Sequence, residues 1–237
     1  MRKIAIVTGC TSGIGFEISL ELARRGYDII GTYNTSLEKI CSLSKKIDVV
    51  GVKFYYFKVD LINNLDIDNF CSYIRNNFKH IDLLINNAAL ELDCEFDLKT
   101  REEFIDILKV NLVAPFSLIQ KLYKIMNDGI IINISSTDGI DTYNKLNIDY
   151  SASKAALINL TKSLSITLDD VKICAICPNF VNTKSVQDMN QDYLKEEMKR
   201  IGQHKLIDPK FIAYKIIKVI QSDIKSGSII VVEDSYE

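Results

Sequence analysis

Seven short apolar runs rich in β-branched residues alternate with longer segments of helical periodicity along this chain. That alternation constrains its fold more than any other feature. The runs lie at residues 3–8, 28–33, 52–59, 82–86, 129–134, 171–177 and 228–232, and the helical segments at 14–25, 37–46, 64–78, 101–126, 150–168 and 209–221. Strands this uniformly apolar need burial on both faces, and a helix after each strand provides it. The pattern specifies an α/β chain with a doubly wound parallel sheet of about seven strands and helices on both faces. With 237 residues, 47% of them apolar, there is material for one sizeable core. No repeat, linker or composition shift marks a second, so residues 1–237 read as a single domain. Segment 183–205 alone breaks the alternation. It is polar, helix-prone and of mixed charge, the profile of a mobile substrate lid.

Charge and composition exclude several functions. The 29 basic residues nearly balance the 31 acidic ones, giving no general drive toward nucleic acid or an anionic membrane. No apolar run approaches the roughly 18 residues that span a bilayer. The basic start has too short an apolar stretch before Gly9 for a secretory signal, so a cytoplasmic location is expected. Only His80 and His204 are present, too few for a zinc site or a histidine-based triad. Cys174 and Cys177 have CxxC spacing but fall within a strand run. Residues three apart on a strand face opposite ways, so both read as core hydrophobes and no metal site is expected.

The first strand runs into Gly9-Cys10-Thr11-Ser12-Gly13-Ile14-Gly15 and then a helix. A glycine-rich turn between strand and helix suits a dinucleotide pyrophosphate. Missing β-carbons let the backbone approach, and the helix N-terminus offers N–H donors and partial positive charge. Further fragments follow in order: Asn86-Asn87-Ala88-Ala89 after the fourth strand, Asn111 within a helical segment, Ser135-Ser136-Thr137-Asp138-Gly139, Tyr150 and Lys154, and Pro178-Asn179-Phe180-Val181-Asn182-Thr183.

Together these fragments resemble the short-chain dehydrogenase/reductase family, from the first strand to about Thr183. Ala89 and Asn179 stand where the family has glycine. The resemblance implies a Rossmann-type sheet and a nicotinamide cofactor. It implies catalysis by Asn111, Ser136, Tyr150 and Lys154, with Asn111 holding a water that links Lys154 to solvent. It places the cofactor against Gly9, Thr11, Ser12, Gly13, Ile14, Gly15, Asn34, Asp60, Leu61, Asn87, Ala88, Pro178, Val181 and Thr183, together with Tyr150 and Lys154. A homodimer or homotetramer built on segments 101–126 and 150–168 is also implied.

The residues themselves explain the chemistry. Tyr150 and Lys154 are four apart on a helical segment and share a face. A phenol of pKa near ~10 exchanges protons poorly at neutral pH. A fixed ammonium beside it favours phenolate and is expected to lower that value. A serine near the preceding strand end can hydrogen-bond the reacting oxygen and steady its charge. Fourteen positions separate Ser136 from Tyr150, where the family leaves about 12 or 13. Thr137 fits the count slightly better and Ser136 the Ser-Ser-x-x-Gly context, so Ser136 is chosen. The extra residue falls in 138–149, a loop expected at the substrate mouth with Asp138, Asp141 and Asp149.

No carboxylate follows the second strand to bind a ribose 2′-hydroxyl. Asn34, Thr35, Ser36 and Ser12 offer neutral donors instead, which favours NADP(H) over NAD(H), although the arginine or lysine often found there is missing. Among relatives, residues 30–34 look most like 3-oxoacyl-acyl-carrier-protein reductases. The expected reaction is NADPH-dependent reduction of a ketone, with the 3-oxoacyl group carried on acyl carrier protein or CoA. Lys195, Lys199, Arg200 and Lys205 would meet an acidic carrier. The acidic end, 233–237, departs from that subgroup, so sugar, polyol and secondary-metabolite ketones stay open. A non-catalytic nucleotide sensor fits less well, because every catalytic position is retained.

Overall fold

A computed structural model describes residues 2–233; Asp234–Glu237 of the acidic end lie outside the described residues. Seven strands form one all-parallel sheet in the order β3-β2-β1-β4-β5-β6-β7. They are β1 (Ile4–Val7), β2 (Asp28–Tyr33), β3 (Phe54–Lys58), β4 (Leu83–Asn86), β5 (Gly129–Ile134), β6 (Val171–Pro178) and β7 (Ile229–Val232). Alternate side chains enter opposite core layers. Ala5 and Val7 pack with helices α1 (Gly13–Arg24), α2 (Leu37–Val50) and α9 (Pro209–Gln221), whereas Ile6 packs with α3 (Asn64–Asn77) and α5 (Ala114–Leu122). Helix α6 (Ile148–Ser165) lies against β6. Cys174 joins the first layer and Cys177 packs with Ile158, so the CxxC pair faces opposite ways as a strand requires.

The order of the sheet reverses at β1, which has β2 on one side and β4 on the other. In open α/β sheets the crevice beyond the strand ends at such a reversal is where ligands bind.

The helical segment expected at 101–126 is not continuous. It forms α4 (Arg101–Leu108), a π-turn at Lys109–Val113, α5 and a 3₁₀ turn at Tyr123–Ile125. Pro115 supplies the reason. It has no N–H for the Asn111 carbonyl four residues earlier, and the Ala114 N–H instead reaches back five residues to Lys109. Asn111 thus sits in a widened turn. The segment expected as a lid carries two short helices, α7 (Lys184–Asp188) and α8 (Gln191–Arg200).

Candidate active site

A cleft of about 420 Å³ opens at the ends of β1, β4, β5 and β6. At one end is the N-terminus of α1, where Ser12, Gly13 and Ile14 line the wall. Ser12 caps this helix, its Oγ accepting from the Gly15 N–H at 3.1 Å. The Gly13 and Ile14 N–H groups find no acceptor among the described residues, as first-turn amides do unless a ligand or water meets them. Gly9 holds the turn at φ +64°. A β-carbon on Gly15 would stand 2.3 Å from the Gly9 carbonyl oxygen. Asn87 fixes the loop from below, its Nδ2 donating to the carbonyls of Thr8 and Gly9 and to Ser12 Oγ at 2.9–3.2 Å.

Not every expected cofactor position reaches the cleft. Asn87, Pro178, Val181 and Thr183 line it. Ala88 backs the Gly9 turn, donating its N–H to Thr8 Oγ1 at 3.0 Å. Thr11 is half-buried in the loop, Leu61 is buried in the core, and Asp60 closes the turn after β3 by accepting from the Ile62 N–H. Asn34 is exposed and does not line the cleft. Lys39, in the first turn of α2, does. A basic residue, absent immediately after β2, thus lines the cleft from one helical turn later. A phosphate-bearing dinucleotide fits this donor set: two open amides and Ser12 at a helix N-terminus, with an ammonium on the same wall.

Tyr150 and Lys154 stand at the other end of the cleft, on α6. Lys154 is 2% exposed, donates from Nζ to the Ile134 carbonyl at 2.8 Å, and lies 5.2 Å from the Tyr150 ring centroid. Ser136 follows β5 and lines the cleft with Tyr150, its hydroxyl offsetting part of the rise in the tyrosine pKa. Thr137 is committed elsewhere, donating to Asn179 Oδ1 at 2.6 Å. This contact also gives the residue in place of the family's glycine a structural task. Gly139 lets the Ser136 turn sit directly on α6, since a β-carbon there would lie 2.6 Å from the Ala155 nitrogen. Asn111 is fully buried, bonded through its side chain to both backbone groups of Leu90 and to Ser153 Oγ at 2.8–3.0 Å.

The electrostatics differ from the expectation that Lys154 lowers the tyrosine pKa. Tyr150 is held well above its ordinary value, first by burial and then by the negative charges of Glu91 and Asp138. Burial also lowers Lys154 to about 8, against the opposing pull of Glu91 and Cys177. Desolvation of both groups outweighs their mutual attraction. The phenol therefore keeps its proton. Glu91 and Asp138 both line the cleft, whereas Asp149, expected at the mouth, is fully buried and paired with Lys99 at 2.9 Å.

The segment expected as a lid is docked. Its base is closed by a bridge between Val181 and Ile207 and by reciprocal hydrogen bonds between Phe180 and Gln203. Ser185 donates to Glu91, and the Tyr193 hydroxyl donates to Asn144 Oδ1 at 2.6 Å.

Over residues 3–194 the sequence matches the family described as short chain dehydrogenase. The chain belongs to the short-chain dehydrogenase/reductase family. As a member it is an oxidoreductase that uses a nicotinamide cofactor. It is 32% identical to the 3-oxoacyl-acyl-carrier-protein reductase of Staphylococcus aureus strain Mu50 over 84% of this chain and 82% of that one. It is also 32% identical to the same enzyme of Aquifex aeolicus strain VF5, over 91% and 88%. A short chain dehydrogenase of Burkholderia cenocepacia, solved in complex with NADP, shares the fold with TM-score 0.90. That protein is 24% identical, with 98% and 96% of the two chains covered. Among the described residues no helix of this family member is long and apolar enough to cross a membrane.

Proposed function

We propose that this chain reduces a ketone to a secondary alcohol with NADPH, Tyr150 giving the proton. The observation that carries the reading is one cleft holding a half-buried tyrosine beside Lys154 at one end and an open helix N-terminus at the other. When bound, the nicotinamide supplies hydride. The chain's own residues do the rest. The α1 amides and Ser12 hold the diphosphate, and Lys39 meets the 2′-phosphate. The hydroxyls of Ser136 and Tyr150 hydrogen-bond the carbonyl oxygen, orient it and stabilise the charge that develops there. Tyr150 then gives up its proton to that oxygen. The buried ammonium of Lys154 stabilises the tyrosine oxygen as it becomes anionic. Asn111, in its π-turn, positions the water that resupplies the proton, and segment 183–205 opens and closes over the substrate.

The named activity of the relatives makes a 3-oxoacyl thioester the first substrate to test. A second reading, a polar ketone such as a sugar or polyol, is favoured by Glu91 and Asp138 in the cleft wall, where an acyl chain would desolvate them. Assembly as a dimer or tetramer through α4, α5 and α6 belongs to the same reading. It is supported by the exposed Ile105, Val113 and Phe116. The test is NADPH oxidation followed with 3-oxoacyl thioesters and simple ketones. NADPH binding without turnover of any of them would favour the nucleotide sensor.

Cofactor choice follows from Lys39. Lys39→Ala is expected to reduce the ratio of kcat/KM with NADPH to that with NADH by about tenfold, one charge-assisted hydrogen bond to the 2′-phosphate being lost. An unchanged ratio would place the phosphate elsewhere.

A further inference from the structure

Neither hydride nor proton transfer calls for a carboxylate, yet two carboxylates line the reacting end of the cleft. Glu91 comes from the loop after β4 and Asp138 from the 3₁₀ turn after β5. Both charges act on Tyr150, and Asp138 stands two positions from Ser136, so both belong to the tyrosine end of the cleft. Neither carboxylate has a cation within ion-pair distance among the described residues. Among the described residues Glu91 accepts only from Ser185, and Asp138 from Thr142 at 2.5 Å. The nearby cations are engaged otherwise: Lys154 with the Ile134 carbonyl, Lys184 with Asp188 and Arg200 with Glu197. Burial accordingly pushes both carboxyls above their ordinary values.

A separate observation points the same way. Asn147 lines this cleft and is 3% exposed. Its Nδ2 is turned to Asp93, which fixes the amide, and its Oδ1 has no partner among the described residues. The reacting end is therefore rich in acceptors and short of donors. An alkyl group there would leave acceptors unmet, and hydroxyls would meet the hydrogen bonds but bring no positive charge to two carboxylates that lack an ion-pair partner among the described residues. An ammonium, with three donors and a positive charge, answers both.

We infer that the ketone reduced in this cleft carries a protonated amine near its carbonyl, recognised by Glu91 and Asp138 with Asn147 as a third acceptor. This rests on the reading of the cleft as a ketone reductase and names its substrate class.

The test uses the full chain with NADPH and three ketones matched in size: 1-aminopropan-2-one, 1-hydroxypropan-2-one and butan-2-one. A second set carries the same end groups one methylene further out. The amine is expected to exceed the methyl ketone in kcat/KM by about ten- to a hundredfold, the range of a charge-assisted hydrogen bond. Glu91→Gln and Asp138→Asn, each checked for folding by its Tm, should bring that ratio toward one. If either variant fails to fold, the other carries the comparison, and the wild-type ratio decides without both. Turnover of all three ketones with the amine no better than butan-2-one would overturn the inference and leave the reductase reading standing. A ratio that neither folded variant moves would do the same. No NADPH oxidation with any ketone or with a 3-oxoacyl thioester would sink the reductase reading and this inference with it.

Discussion

Replacing Tyr150 by phenylalanine is expected to lower kcat for ketone reduction by about 10²–10⁴-fold, the usual worth of a positioned acid, while NADPH affinity stays within a few-fold of wild type. The change removes one hydroxyl and leaves the ring that stands 5.2 Å from Lys154 Nζ. No neighbour can take over the proton. Lys154 is tied to the Ile134 carbonyl, Ser136 is an ordinary hydroxyl, and Glu91 and Asp138 are carboxylates suited to accept donors. Because burial and those two carboxylates keep the phenol protonated, the acid form is fully present at neutral pH and its loss appears undiluted in kcat. Ser136→Ala should cost less, since the tyrosine remains to hold the carbonyl oxygen. Thr137→Ala should cost less again, because that hydroxyl is spent on Asn179. Stopped-flow NADPH oxidation with a separate fluorescence titration of NADPH distinguishes these effects. Near-normal turnover in the phenylalanine variant would mean that another group delivers the proton.

Much of this arrangement is legible in the sequence because it depends on local periodicity. β2 and β5 are short runs built around consecutive isoleucines and form where expected, at Asp28–Tyr33 and Gly129–Ile134. Tyr150 and Lys154 share a face because four residues make about one helical turn. Other features were also written in the chain but need a second step of chemistry. Pro115 announces the break beside Asn111, since a proline withholds the N–H that the carbonyl four residues earlier requires. Choosing between Ser136 and Thr137 by counting residues is uncertain by one, whereas the Asn179 contact separates them. The remainder is tertiary. Lys39 lines the cleft only because α2 packs beside α1, and Glu91 meets Ser185 across 94 positions of sequence. No local pattern records such pairings. The raised tyrosine pKa is of the same kind, because burial depends on everything packed around the site.

Lys154→Met separates what this lysine does for activity from what it costs the fold, and the two effects have opposite signs. Burial holds its pKa at about 8, below the ordinary lysine value of 10.5. Between those two pH values the unfolded chain binds a proton that the folded chain does not. Wild-type stability contributed by this group therefore rises with pH across that window and is at its poorest below about pH 8. At pH 7 the buried charge costs about 3 kcal/mol, and methionine removes it. Roughly 1 kcal/mol returns as a penalty, because the Ile134 carbonyl loses its donor. The apo variant should thus melt higher than wild type at pH 7, with the difference shrinking toward pH 10. Activity should move the other way. Without the ammonium the tyrosine oxygen has no cation beside it as it gives up its proton, and kcat should fall by about 10²-fold or more. In the wild type, the groups that face Lys154 are Glu91 from the β4 loop, Cys177 on β6 and Tyr150 on its own helix. As pH rises through about 8 the ammonium is lost, and kcat/KM for reduction should decline. Glu91→Gln removes the charge that holds the lysine value up, so this decline should begin at lower pH. A methionine variant that melts lower at pH 7 and keeps the wild-type alkaline decline would show that the titrating group is not Lys154.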